Sequence, residues 1–369
     1  MAARTGLTLP QRVEFGVGCV GTAGAWARAT GARRPLVLAD IFNAARVDCL
    51  DLPGEPAVFD DVRSEPELAD LEAAIAFARS VEPDLIVGFG GGSAMDLAKL
   101  VAVTMASSKS VLDIVGPNKA DPRSVGLIQV TTTAGTGSEI GTRALVTEPV
   151  SGDKLAVESP HMLADLAVID PGLTVSVPAA TTAATGVDAL AHCVEAFTSK
   201  RAHPLIDMFA REGIRLAGQH LRRAVECGED VEARAAMSMA AFCGGVCLGP
   251  VNTTAGHAIS YPLGTRQKLA HGIANALIFP HTLAFNEPVC EAKTDEVRRL
   301  LGLAGGDLAA VARDFCSSLG IAMRLRDHGV AEQSLDAMAT EAGRIRRLLD
   351  HNPRPIGRDE ILAIYQAAY

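Results

Sequence analysis

Through residue 178, short apolar runs rich in valine, isoleucine and leucine alternate with stretches whose apolar positions recur at helical spacing. PLVLAD (35–40), DLIVGFG (84–90), VGLIQVTT (125–132), ALVTE (144–148) and LAVID (166–170) read as buried strands. ELADLEAAIAFARS (67–80) and AMDLAKLVAVTMA (94–106) read as helices between them. That alternation predicts a parallel sheet covered by helices. Beyond VIDPGLTVSVP (168–178) strand-like runs nearly vanish and alanine-rich helical patterns take over, as in AATGVDALAHCVEAFTS, PLIDMFAREGIRLAGQHL, EARAAMSMAAFCGGV and DLAAVARDFCSSL. Pro178 pushes its predecessor out of helical conformation. The boundary is therefore expected there, with an α/β domain over 1–178 and an all-helical domain over 179–369. NPRPIG (352–357) reads as a turn before a last short helix.

A chain of 369 residues suits two domains. With 48% of residues hydrophobic but only 4% aromatic, the core must be built from alanine and branched aliphatics. A formal net charge of −9 argues against a nucleic-acid partner, which calls for a basic patch. The opening MAARTGLTLPQRVEF lacks the apolar run of a leader, and no stretch is read as approaching the ~18 apolar residues of a membrane span. None of the eight cysteines forms a Cys-x-x-Cys pair, so reduced thiols and a cytoplasmic location are expected. Cys243 and Cys247, four apart, read as small core residues rather than a metal clip.

Two loops follow predicted strands. Gly88-Phe-Gly-Gly-Gly-Ser93 precedes a helix, where bare backbone and free N–H groups can hold a phosphate, although the spacing is not the Gly-x-Gly-x-x-Gly fingerprint. A tight turn with no ligand is the alternative. Thr131-Thr-Thr-Ala-Gly-Thr-Gly-Ser138 adds hydroxyls and flexible backbone. Together they suggest a nucleotide laid across the C-terminal edge of the sheet. Asp40, at the end of the first of these strands, either accepts from adenine-ribose hydroxyls, favouring NAD over NADP, or caps the next helix.

Asp188 and His192 are four apart on an otherwise apolar helix face, where a carboxylate and an imidazole need partners. His257 and His271 follow in the same half. One carboxylate and three imidazoles suit Fe(II) or Zn(II), whereas each later histidine alone would be an ordinary core or surface residue.

GGGSAMDLAK (90–99), TTAGTGSE (132–139), AVIDPGLTVSVP (167–178), GVDALAHCVEAF (186–197) and HAISYPLG with HGIANALIFPH (257–281) occur in one order. From about residue 10 to its end the chain resembles the iron-containing (group III) alcohol dehydrogenase family. The resemblance implies an α/β dinucleotide-binding part, a helical metal-binding part and a cleft between them. It also implies NAD(H)-linked interconversion of a small alcohol and its aldehyde, and a homodimer. By that likeness Asp188, His192, His257 and His271 are the metal ligands and carry catalysis. Gly91, Gly92 and Ser93 form the pyrophosphate loop, Thr132, Thr133 and Thr136 the second cofactor loop, and Asp40 discriminates NAD from NADP.

One departure stands out. Many members of the family carry a further histidine four residues after the third ligand, where this chain has Tyr261. An ordinary tyrosine titrates near ~10 against ~6.5 for histidine, so Tyr261 is expected to shape the substrate pocket rather than relay protons. Arg143 is expected either to grip an anionic substrate or to pair with a nearby acid. Rival readings are a maleylacetate reductase, a dehydroquinate-synthase-like or polyol-phosphate enzyme of the same fold, and a silent nucleotide-binding protein.

Overall fold

The computed structural model describes residues 4–149 and 154–369. Residues 1–3, part of the stretch read as carrying no leader, lie outside the described residues, as do 150–153. The chain divides into two compact units, one spanning 8–133 with 137–175, the other 176–369 with 134–136.

The first unit is α/β. Its strands are β1 (Arg12–Phe15), β2 (Pro35–Ala39), β3 (Ala57–Phe59), β4 (Leu85–Gly90), β5 (Gly116–Pro117), β6 (Gly126–Thr131), β7 (Arg143–Thr147), β8 (Lys154–Glu158) and β9 (Leu166–Ile169). Six of them form one sheet in the order β1-β9-β6-β4-β2-β3, parallel throughout. Its central strands are buried on both faces, which is why they read as continuous apolar runs. The Leu68–Val81 and Gly92–Thr104 helices pack against it.

The expectation that residues 144–148 join this sheet is corrected. They form β7, which pairs antiparallel with β8 in a separate three-stranded sheet, β5-β8-β7. The six residues between β7 and β8 are too few for a parallel crossover, consistent with the antiparallel pairing. β1, β3, β5 and β8 were not anticipated. They are short and mostly half-buried or exposed, with no more than three consecutive apolar residues in any of them.

The second unit is helical. Its longer helices are Ala179–Thr198, Pro204–Glu226, Val231–Leu248, Ala255–Gln267, His271–Leu300, Leu308–Ser317 and Arg358–Ala368. Alanine, glycine and cysteine at the contacts bring the axes close. A Cβ built on Gly186 would lie 2.2 Å from Cδ1 of Leu221 on the neighbouring helix. Cys193, Cys243 and Cys247 are buried in this core. Val231–Leu248 does reach the length and apolarity of a membrane span, contrary to the sequence expectation, but most of it is buried among its neighbours as a core helix. Its buried Arg234 donates to the Gly228 and Val177 carbonyls and to the Thr182 hydroxyl, one hydrogen bond from each nitrogen of the guanidinium.

Candidate metal centre and cofactor loops

Asp188 and His192 share the inward face of the Ala179–Thr198 helix, and both are buried. His257 sits in the first turn of the Ala255–Gln267 helix and His271 opens the next one. These four side chains converge. Oδ1 of Asp188 lies 3.7, 3.4 and 3.6 Å from Nε2 of His192, His257 and His271. The rings of His192 and His257 stack at 4.8 Å. Ligand atoms of Asp188, His192 and His257 all fall within 4.8 Å of one another.

Asn275, one turn after His271, was not singled out from the sequence. Its amide nitrogen is 2.6 Å from Asp188 Oδ1 and 3.1 Å from Nε2 of both His257 and His271. An amide has two hydrogens to offer, and three acceptors crowd it. Meanwhile its own Oδ1 and Nδ1 of His192 are buried without a hydrogen-bond partner among the described residues. A surplus of inward-facing lone pairs in a buried space is the condition a divalent cation relieves, and one carboxylate with three imidazoles suits Fe(II) or Zn(II).

Electrostatics agree with a cluster of strongly interacting groups. Burial works against the Asp188 carboxylate, but the three surrounding imidazoles outweigh it and hold the carboxyl well below the usual range. Burial pushes His192 down to about 4. His257 goes the other way, up to about 10, because the Glu195 and Asp188 carboxylates beside it outweigh its burial. Glu195 too went unassigned in the sequence, although it lies seven residues after Asp188 and so on the same helix face. Its Oε1 is 2.5 Å from Nδ1 of His257.

Tyr261 stands beside the cluster, its ring 6.0 Å from that of His271 and its hydroxyl accepting from Arg347 at 3.4 Å. His281, ten residues past His271, is not among the groups that converge, and His203 caps the helix that follows it.

The cofactor-loop candidates gather in the α/β unit. The adjacent strands β2, β4 and β6 run parallel, so Asp40, Gly91 and Thr132, each just past a strand end, share one edge of the sheet. A Cβ on Gly91 would lie 3.4 Å from Oγ1 of Thr133, so the two loops face each other across bare backbone. Gly92 begins the helix that Gly91 caps. The Ser93 hydroxyl accepts from the Glu65 N–H, and the Thr132 N–H donates to the Gly90 carbonyl. Asp40 caps the Ile41–Ala44 helix, accepting from the N–H groups of Phe42 and Asn43 and from the Asn43 amide. Thr136 differs from the rest, since residues 134–136 group with the helical unit. Arg143 is not with them either. It lies opposite Glu158 in the β7–β8 pair and bonds that carboxylate at 2.8 Å, the acid-paired alternative.

Comparison with known proteins gives a consistent picture. The profile of iron-containing alcohol dehydrogenase matches residues 10–171, and that of the C-terminal part of the same family matches residues 182–369. Long-chain-alcohol dehydrogenase 1 of Geobacillus thermodenitrificans is 37% identical over 324 residues, covering 85% of this chain and 82% of that protein. The crystal structure of a 1,3-propanediol oxidoreductase superposes with a TM-score of 0.93 at 30% identity, covering all of both chains. A sulfoacetaldehyde reductase from Bifidobacterium kashiwanohense, solved in complex with NAD+, superposes with a TM-score of 0.90 at 27% identity, covering 99% of each chain.

Proposed function

The chain belongs to the iron-containing alcohol dehydrogenase family, and from that premise we propose that it interconverts a small alcohol and its aldehyde with NAD(H) and a divalent metal, iron foremost. The observation that carries this reading is the convergence of Asp188 with His192, His257 and His271 around an amide that cannot satisfy them all. The relative solved with NAD+ supports the cofactor assignment.

The bound metal would supply a Lewis acid for the substrate oxygen, and NAD the hydride acceptor or donor. The chain's own groups do the rest. Asp188, His192, His257 and His271 would hold the ion and are in that sense the catalytic residues. The bare backbone of Gly91 and Gly92 at a helix start takes the pyrophosphate, where N–H groups and the helix dipole favour an anion. Ser93, Thr132, Thr133 and Thr136 flank it. The Asp40 carboxylate, fixed by its capping bonds at the end of β2, accepts from ribose hydroxyls and repels a 2′-phosphate, which favours NAD. Tyr261 shapes the space beside His271.

The relatives named above act on different substrates, so the family alone does not choose one. The test is anaerobic reconstitution with Fe(II), and separately with Zn(II), followed by NADH absorbance against neutral and anionic small aldehydes and alcohols. Metal-dependent turnover that Asp188→Ala abolishes is the expected result. Metal binding without turnover of any member of the panel would favour a cyclase or polyol-phosphate chemistry on the same fold.

A further inference from the structure

Glu195 is buried and surrounded by donors. Its Oε2 accepts from the Thr254 N–H at 2.6 Å, the Thr254 hydroxyl at 3.0 Å and the His257 N–H at 3.4 Å, while Oε1 meets Nδ1 of His257. Thr254 is the N-cap of the Ala255–Gln267 helix, yet its side chain makes no capping bond. The carboxylate from the Ala179–Thr198 helix does that work instead, taking two amides of the opening turn at the positive end of the helix dipole. The backbone is kept bare for it, since a Cβ on Gly256 would lie 2.7 Å from Oε1.

The same carboxylate therefore grips His257 twice, by its main chain and by its ring. A carboxylate ringed by N–H and O–H donors acts as acceptor, so Nδ1 of His257 carries a hydrogen toward Glu195 and Nε2 is the ring nitrogen that faces Asp188. His192 has no such fixture, because its Nδ1 is without a partner among the described residues. The three imidazoles are thus unequal.

We propose that Glu195 is a positioning residue that sets the tautomer and direction of the His257 imidazole and thereby the affinity of the site for a divalent ion. The proposal rests on the reading of Asp188, His192, His257 and His271 as ligands. Glu195 also brings a second negative charge to the buried cluster, so its two carboxylates match the charge of a divalent ion.

The test is a Co(II) titration of the full chain, read from the visible absorption bands of the bound ion, with Zn(II) competition giving relative affinities. Glu195→Gln puts an NH2 group among donors and should weaken binding by about 10- to 100-fold and shift the Co(II) bands. Gly256→Ala crowds the carboxylate from the other side and should act in the same direction. Thr254→Val removes one bond to Oε2 without touching the ring, and should leave both affinity and bands near those of the wild type. Wild-type affinity and an unshifted spectrum in both Glu195→Gln and Gly256→Ala would overturn the proposal, and Gly256→Ala decides if Glu195→Gln does not fold. Wild-type protein that takes up no Co(II), or takes it up equally well as Asp188→Ala, would remove the ligand assignment itself and this inference with it.

Discussion

The amide nitrogen of Asn275 lies 2.6 Å from Oδ1 of Asp188, in the midst of the imidazoles, and its carbonyl oxygen finds no donor among the described residues. Without a cation that amide is the neutral donor that, among the described residues, quiets the buried carboxylate. Asn275→Leu should therefore destabilise the metal-free protein by about 1–3 kcal/mol, the cost of stripping a buried acceptor of its donor. The loss should be smaller once the ion is present. Calorimetric melts in chelator and in saturating Zn(II) measure both, and equal losses in the two conditions would count against the convergence as a cation site.

Much of this was legible along the chain, for physical reasons. Strands β2, β4 and β9 are buried on both faces, so they show as unbroken apolar runs, and β6 is interrupted by the buried Gln129. β3 and β8 are mostly half-buried and carry only three consecutive apolar residues each, too few to mark a strand. Asp188 and His192 could be paired because one helix carries both at a fixed spacing. Glu195 and Asn275 share helices with ligands and were visible in the same way, but the shortest contact of each, to His257 and to Asp188, lies 62 and 87 residues away in sequence. Nothing in local pattern reports a partner at that distance. The pairing of Arg143 with Glu158 likewise depends on an antiparallel register that only the folded β7–β8 pair defines.

Gly91 offers a cleaner dissection of cofactor binding. Its backbone is extended, with φ of −79°, so alanine is conformationally allowed there. The added methyl would stand between the two loops, at ordinary contact distance from Thr133. Gly91→Ala should weaken NADH binding by about tenfold or more, roughly 1.4 kcal/mol, with little change in melting temperature. Fluorescence titration with NADH beside a thermal melt separates the two, and a fall in stability without a fall in affinity would show that the loop is only a turn.

Burial pushes the carboxyl of Glu139 from 4.5 up to about 7, against the weaker pull of its own backbone N–H and of the Lys99 ammonium. The folded protein then holds a proton across that interval which the unfolded chain has released. The contribution of this carboxyl to stability falls as pH rises from about 4.5 to about 7, with the loss complete above that. Glu139→Gln removes this dependence. Relative to wild type it should gain up to about 3 kcal/mol between pH 4.5 and pH 8. Urea unfolding at the two pH values checks it, and a constant difference would contradict it.

Arg143 and Glu158 face each other across two antiparallel strands, and such a pair contributes about 0.2–1 kcal/mol. Arg143→Ala should cost that much stability and alter KM for neutral and anionic aldehydes alike. A rise in KM confined to anionic aldehydes would return the guanidinium to the substrate.

Asp188, His192 and Glu195 ride on one helix, and that helix meets its neighbour where Gly186 leaves no room beside Leu221. The three groups are therefore not independently adjustable. Any displacement of the helix along or about its axis carries a ligand carboxylate, a ligand imidazole and the support of a third ligand together. A methyl group added at Gly186, which touches none of them, should detune all three at once. Trimming Leu221 to alanine in the same chain should bring them back, so that the second change repairs a metal site from a residue that never meets the metal.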